Sequence, residues 1–411
     1  MKLIFNLFIF LISMKASGQN YSLDYYITHA ENNSPLLADF RNQANATQVD
    51  SQLLRASQKI QVNGISIDYY APNYAGYGYD NVITNGAQVS ALVQANKNLI
   101  SAGNLAAQYE TVHLQKESLV NKANIIIKDL KKTIITQYVT VYGDLQTLQF
   151  NREILTLFQN EENILKKLTQ ANIYKQTDYL TFYVSLQQQQ LAARQSEIQY
   201  RNDCATLNYL SGIVDTGAVT LTPPNLRMGT VPDIFNSSFY RQYTLDSLSL
   251  VNQQKTILYS YKPKLNIYAD AGYMSSLQYE AYKNFGASAG LNFSIPIYDG
   301  KQRKLKYQKI NIAERTRQQY KDFFLRQYNQ QIAQLLQQLK STESLIDDIN
   351  GQIKYSGTLV DVNKKLLETG EVRITDLILT INTFLNARNL LNQNYTNRMQ
   401  IINQINYWQA L

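Results

Sequence analysis

The sequence predicts an α+β membrane protein with an internal duplication, in which each half supplies a β-hairpin followed by a long α-helical hairpin. Three observations carry that expectation: an export signal, a repeated spacing of motifs, and strand segments with one apolar and one polar face.

Met1 and Lys2 precede an apolar run from Leu3 to Ile12 broken only by Asn6, and Ala16-Ser17-Gly18-Gln19 follows. A short basic start, an apolar stretch and small residues at a cleavage point make a secretory signal over 1–18, with the mature chain starting near Gln19. About 10 apolar residues fall short of the ~20 a spanning helix needs, so a retained anchor is the weaker reading. No Cys stands at the cleavage point, so no lipid is expected there. Cys204 is the only cysteine, which excludes an internal disulfide, and it reads as a small buried residue on a helix.

The formal charge is +8, falling to about +6 once Lys2 and Lys15 leave, and only 17% of residues are charged. No basic stripe interleaved with aromatics runs along the chain, so nucleic acid is not an expected partner. Tyr alone numbers 31, and with the many Gln and Asn it suits surfaces that stay wet without strong charge.

Proline placement divides the chain. Its seven prolines leave 73–222 and 297–411 without the strongest helix breaker. In the second stretch Tyr320, Phe324, Tyr328, Ile332, Leu335 and Leu339 recur every three or four residues. Ile374, Leu377, Ile381 and Phe384 do the same, and after a polar step at Arg388 the stripe resumes at Leu391, Tyr395 and Met399. Each stretch has room for two helices of ~45 residues, or ~65 Å, which implies a coiled-coil-like bundle.

The two halves share a spacing. Asp178 of Thr177-Asp178-Tyr179-Leu180 lies 75 residues after Gly103, and Asp376 of Thr375-Asp376-Leu377-Ile378 lies 76 after Gly300. A duplication follows, with a first repeat over 19–210, a linker over 211–232 containing Gly212, Pro223, Pro224 and Pro232, and a second repeat over 233–411. Each repeat is expected to run helix, β-hairpin, long helical hairpin.

Strand candidates precede each helical stretch. Phe285, Ala287, Ala289, Leu291, Phe293 and Ile295 alternate with Gly286, Ser288, Gly290, Asn292 and Ser294. Val89 to Asn96 alternates with one misfit at Leu92, Leu265 to Gly272 alternates cleanly, and Ile65, Ile67 and Tyr69 alternate with Ser66, Asp68 and Tyr70. Period two marks a sheet with one apolar and one polar face. Strands of ~9 to 11 residues match a tilted bilayer crossing, and tyrosines crowd their ends, which favours lipid over the core of a soluble sandwich. Four strands cannot close a barrel, and open edges are forbidden in lipid. Other copies of the chain are therefore expected to complete the sheet as a symmetric ring.

Two stretches resemble the TolC-like outer-membrane efflux protein family. One is Thr369-Gly370-Glu371-Val372-Arg373-Ile374-Thr375-Asp376-Leu377, with Leu385-Asn386-Ala387-Arg388 and Tyr407 after it; the other is the strand exit Phe293-Ser294-Ile295-Pro296-Ile297-Tyr298-Asp299-Gly300. In the first half, Lys175-Gln176-Thr177-Asp178 lacks the glycine that Gly370 supplies in the second. The resemblance implies a homotrimer in outer-membrane lipid, with four strands per protomer in a shared transmembrane β-barrel and the helical hairpins forming a periplasmic helical barrel. A periplasmic adaptor (membrane fusion) protein and an inner-membrane transporter would dock below, and the cargo would be small molecules. Export of a protein or peptide through the same fold, and a soluble helical scaffold or adhesin without a barrel, remain the alternatives.

The resemblance also implies a narrowing at the periplasmic tips of the hairpins, lined by acids. Counting back 28 residues from Asp178 and Asp376 places the tips near Phe150 and Asp348. That makes Glu343, Asp347 and Asp348 the gate candidates on one side and Arg152 and Glu153 on the other, with Arg152 able to bridge to the acids. Asp347 is the preferred member of an acidic ring, although an acid cluster on a helix is also an ordinary solvated face. Gly103, Asp178, Pro296, Gly300, Gly370, Thr375 and Asp376 read as structural, with Asp178 and Asp376 as local caps or kinks and Gly370 permitting close helix approach.

No catalytic residue, metal site or cofactor is expected. His29 and His113 are the only histidines. Glu110 and Glu117 flank His113 on one helix face, but one imidazole and two carboxylates make a weak metal signal beside the reading of a solvated face. No phosphate-cradling glycine loop and no nucleophile elbow is present, so the chain is read as non-enzymatic.

Overall fold

The computed structural model describes residues 21–277 and 280–409, and the export signal lies outside them. Helices α1 (Leu23–Asn33) and α2 (Pro35–Ser57) lead to strands β1 (Gln61–Ile65), β2 (Tyr69–Tyr70) and β3 (Ala87–Leu99). Long helices α3 (Ala102–Gln170) and α4 (Gln176–Leu210) follow. After an extended segment come α5 (Ser238–Ser260), β4 (Lys264–Ser275), β5 (Phe285–Ser294), α6 (Gln302–Thr369) and α7 (Ile374–Asn406). The helices are unequal, 69 and 35 residues in one hairpin and 68 and 33 in the other, so each turn lies beyond the midpoint of its Pro-free stretch. Among the described residues no helix is long and apolar enough to cross a membrane.

The chain divides into two compact units, each drawing on both halves of the sequence. One contains Asp39–Ala123 and Phe239–Phe324; the other contains the chain up to Ala38, Asn124–Ser238 and Leu325 onward.

The first unit holds the sheet. Its order is β1-β3-β4-β5, all antiparallel, with β2 also on β3, so four strand positions lie side by side. β3 and β4, one from each half, pair from Val89↔Ser275 to Leu99↔Leu265. Directly paired residues share a face, so the register sorts the two surfaces. Val62, Val93, Ala95, Ile267, Ala269, Ala289, Leu291 and Phe293 fall on one face, and Asn63, Gln94, Asn96, Asn266, Asp270, Ser288 and Asn292 on the other. Leu92 pairs with Ile65 on one side and Gly272 on the other, which gives the misfit an apolar neighbour and room.

One expected strand is corrected. Ile65, Ile67 and Tyr69 do not form one alternating strand, because the ladder breaks after Ile65. The Ser66 hydroxyl donates to the Ser90 carbonyl at 2.8 Å, the Asp68 carboxylate accepts from the Ser90 amide at 2.9 Å, and the Ser90 hydroxyl accepts from the Ile67 amide at 2.9 Å. Side chains here take over hydrogen bonds that the backbone ladder would have made. β1 therefore starts earlier, with Val62 rather than Ile65 on the apolar face.

Helix starts in this unit follow from capping. Asn104 N–H donates to the Ser101 hydroxyl at 3.3 Å, and Arg303 N–H to the Asp299 carboxylate at 2.7 Å. Asn252 on α5 donates to the Ala107 carbonyl and the Thr111 hydroxyl of α3, both at 2.9 Å.

The second unit is a helical bundle. Tyr26 and Ala30 of α1 pack on Ile134, Tyr138, Tyr200, Cys204 and Leu207, so the lone thiol is a buried core residue. The linker lies extended across the bundle: the Thr222 carbonyl accepts from Tyr138 Oη at 2.7 Å, and the Arg227 carbonyl from Asn406 Nδ2 at 2.9 Å. Such bonds satisfy backbone groups in a segment without secondary structure. Gly143 lets α3 approach α7, since a Cβ there would lie 2.5 Å from Thr396 Oγ1.

Candidate functional site

The turns that close the two helical hairpins are built alike. At the second, Gly370 takes a left-handed φ of 75°, its N–H donates to the Leu367 carbonyl at 3.1 Å, and Glu371 N–H donates to the Leu366 carbonyl at 2.9 Å. This is a Schellman stop. Gly370 thus ends α6, and its role in helix approach is limited to a contact with Ile173. At the first turn Asn172 has φ 60°, Asn172 N–H donates to the Thr169 carbonyl at 3.0 Å, and Ile173 N–H to the Leu168 carbonyl at 2.9 Å. Asn tolerates the left-handed region better than other side chains. Sequence reasoning missed Asn172, yet its signal was available, because Asn172 precedes Asp178 by the same six residues that separate Gly370 from Asp376.

These turns correct the expected tip positions. The hairpins reverse at 171–175 and 370–373, not near Phe150 and Asp348. Counting back from the aspartates moved the tips into mid-helix, whereas both aspartates sit in the first turn after the reversal. The Asp178 carboxylate accepts from Lys175 N–H at 3.2 Å and so caps α4. Asp376 instead holds the Arg373 guanidinium at 2.9 and 3.3 Å. Both carboxylates also favour the positive end of a helix dipole. Thr375 is exposed beside them.

The two turns touch each other. Tyr174 Oη donates to the Val372 carbonyl at 2.8 Å, and burial pushes the Tyr174 phenol up, so it stays a donor. Beneath lies the apolar core of Phe150, Ile154, Phe158, Phe182, Leu367, Leu377 and Ile381. Fully buried side chains of this size each contribute roughly 1.5–3 kcal/mol. Glu161 is buried in the same region with Lys364 at 3.6 Å; desolvation raises its pKa and the lysine partly offsets that.

The acids proposed for a gate are elsewhere on the bundle. Glu343, Asp347 and Asp348 are exposed on α6, some 20 residues or roughly 30 Å of helix before Gly370. Arg398 of α7 holds Glu343 at 3.0 Å. Arg152 does not reach these acids: it pairs with Glu197 at 3.2 Å, which Arg201 also holds at 2.7 Å, and the two cations keep the Glu197 carboxyl below its ordinary range. Glu153 is exposed beside it. Arg388 lies over the Phe150 ring at 5.2 Å, which accounts for the polar step in the α7 stripe.

In the sheet unit the motif residues have distinct roles. Gly103 lies in the first turn of α3 against Tyr259, whose ring atoms would be 2.3–2.7 Å from a Cβ there. Gly300 takes φ 62° in the turn after β5, and Pro296 is exposed just beyond the end of that strand. The two glycines that share a motif position therefore serve close packing in one half and a left-handed turn in the other. His113 is exposed, and Arg241 holds Glu117, so that face makes no metal site. Among the described residues no cluster of three metal-ligating side chains occurs.

The sheet register and the paired long hairpins together are the fold of the TolC-like outer-membrane channels. Particular structures make this concrete. The chain is similar to the transmembrane channel CusC at 14% identity and a TM-score of 0.75, covering 96% of this chain and 93% of that one. It is similar to the outer membrane protein VceC of Vibrio cholerae at 11% identity and TM-score 0.73, covering 94% and 96%. The MtrE outer membrane channel of Neisseria gonorrhoeae, at 11% identity and TM-score 0.72, covers 94% and 88%. No protein-family model and no curated protein sequence matches the chain.

Proposed function

We propose that this chain is the outer-membrane exit duct of a tripartite efflux system, extending into the periplasm and passing small molecules outward. The observation that carries the reading is the sheet. Four strand positions share one apolar face and one Asn/Gln/Ser face, and the edge strands β1 and β5 have a partner on only one side. A sheet apolar on one side and wet on the other, with open edges, is stable in lipid only when copies of itself close it. Three copies would supply about twelve positions, enough for a barrel with an aqueous interior. The helical hairpins would continue the duct toward a periplasmic adaptor protein and an inner-membrane transporter. The test is electrical: the mature protein in planar bilayers should form an ion-conducting pore. A protein that stays soluble without detergent and conducts nothing ends this reading.

In this reading the duct narrows at the hairpin turns. The Tyr174–Val372 bond ties the two turns of a protomer, and a bond of this kind contributes about 1 kcal/mol net. Tyr174→Phe should therefore raise the ratio of open to closed pore by roughly fivefold per bond removed. Single-channel open probability is the readout, and an unchanged value removes the bond from the gate.

The acids of α6 would form a second, separate ring if they face the lumen. With Glu343 held by Arg398, Asp347 is the better-placed charge. Asp347→Asn should weaken block of the open pore by multivalent cations, and equal block in both proteins would exclude it from the lumen.

A further inference from the structure

The dispersed charges of the sequence are gathered by the fold at one end of the sheet. The segments that flank its helix-side end, 51–60, 96–109, 255–267 and 292–313, carry 11 Lys and Arg against the single acid Asp299. All 11 are exposed. The loop-side segments 66–86 and 274–284 carry three acids and one lysine. Between the two ends the strands hold the apolar face described above.

The cations at the helix side are placed among tyrosine rings. Lys262 Nζ lies 4.5 Å from the Tyr259 ring centroid, Lys306 Nζ lies 5.5 Å from that of Tyr261, and the Arg303 guanidinium sits 5.6 Å from Tyr261 and 6.0 Å from Tyr307. Asp299 accepts from the Arg303 backbone amide, which occupies one of its oxygens on the α6 start. Ile297 and Tyr298, next to this cluster, are almost fully exposed, at 97% and 83%. A cavity of about 440 Å³ opens at the same level, lined by Lys262, Lys264, Asn104, Asn266 and Asn292, with Ser101 at the start of α3. The Asn266 side-chain oxygen is buried without a donor. The N-terminus of a long helix, two ammonium groups and amide side chains together suit a phosphate ester, and the Asn266 oxygen suits a hydroxyl or ammonium beside it.

We propose that this basic, tyrosine-lined collar binds the headgroups of anionic phospholipids in the leaflet nearest the helices, and so fixes the depth of the sheet in the membrane. The inference rests on the sheet being membrane-embedded. Tyrosines and exposed Ile297 match the boundary where apolar and polar lipid regions meet, and cations there meet the phosphates. The acidic loop side lacks that complementarity, so the collar gives the sheet a direction as well as a depth.

The test titrates the detergent-solubilised mature protein with short-chain phosphatidylglycerol, short-chain phosphatidylcholine and inorganic phosphate, and follows thermal stability. Phosphatidylglycerol should stabilise the wild type and phosphatidylcholine should not. Each cation near a lipid surface changes affinity by roughly fivefold, so the triple variant Lys262→Gln, Lys264→Gln, Arg303→Gln should bind phosphatidylglycerol about 100-fold more weakly. A Lys262→Arg, Lys264→Arg variant should keep the response, which guards against misfolding as the cause of a loss. An equal response in the triple variant, an equal response to inorganic phosphate, or none to phosphatidylglycerol each overturns the collar. Pore conductance of the same preparation separates the two readings. Conductance without a phosphatidylglycerol response sinks the collar alone, and absence of conductance sinks the duct.

Discussion

Gly272→Ala is expected to break the pairing of β3 with β4 and to prevent the protein from reaching its native sheet. Gly272 has φ 155°, and a Cβ there would lie 2.2 Å from the Ala91 carbonyl oxygen and 2.9 Å from Leu92 Cα. Both are backbone atoms, so no rotamer change relieves the contact, and β3 itself must move. Gly272 sits within the register that runs from Val89↔Ser275 to Leu99↔Leu265, the seam between the two halves of the chain. Overpacking usually costs about 1–3 kcal/mol, and backbone strain adds roughly 1–3 more. The neighbouring position supplies the control: Gly286 pairs with Gly272, and a Cβ on it would meet nothing within 4 Å. Thermal denaturation in detergent should show a large loss for Gly272→Ala and a change within about 1 kcal/mol for Gly286→Ala. Equal behaviour of the two variants would mean the strands approach less closely than the structure has them.

What the sequence made legible follows from which signals are periodic. The alternation from Phe285 to Ile295 is uninterrupted and corresponds to β5 over Phe285–Ser294. The two stretches without proline became α3 with α4 and α6 with α7, because no residue in them opposes a helix strongly enough to outweigh packing. Ile65 to Tyr70 alternates just as well, yet Asp68 and Ser90 replace its ladder with side-chain bonds. Alternation records which faces are apolar and cannot record a polar side chain that competes with the backbone.

The site was harder to read for a different reason. Helix ends are set by one residue in a left-handed conformation, and that signal is local. Gly370 was visible as a glycine, but Asn172 does the same work without being one. The tips were placed by counting from a motif instead of by asking where a helix could stop, and the result missed the turns by some 20 residues. The Tyr174–Val372 contact and the collar around Tyr261 join segments far apart in sequence, so only the fold brings them together.

Asp144→Asn is expected to stabilise the protein above neutral pH and to remove most of a pH dependence present in the wild type. Asp144 on α3 faces Asp203 on α4. Burial, then the hydrogen bond to Asp203 and its charge, push the Asp144 carboxyl up to about 7. Gln137 and Gln199 already donate to the Asp203 carboxylate, at 3.3 and 2.6 Å, so Asp203 is held as the acceptor. The other side chains around Asp144, including Thr147, Asn151, Gln195 and Ser196, bring no charge to relieve it. In the unfolded chain the carboxyl returns to its ordinary value near 4. Below that value both states hold the proton and nothing is lost. As pH rises from about 4 to about 7 the unfolded chain releases its proton while the folded one keeps it, so stability falls; above about 7 both are ionised and the loss levels off. A shift of this size corresponds to about 4 kcal/mol at most, less any relaxation that lets water reach the pair. Asparagine carries a permanent donor where the shared proton sits and has nothing to titrate. The melting temperature of the wild type should therefore drop by several degrees between pH 5 and pH 8 relative to Asp144→Asn, with the variant the more stable at pH 8. Parallel curves for the two proteins across that range would show that Asp144 does not hold a proton there.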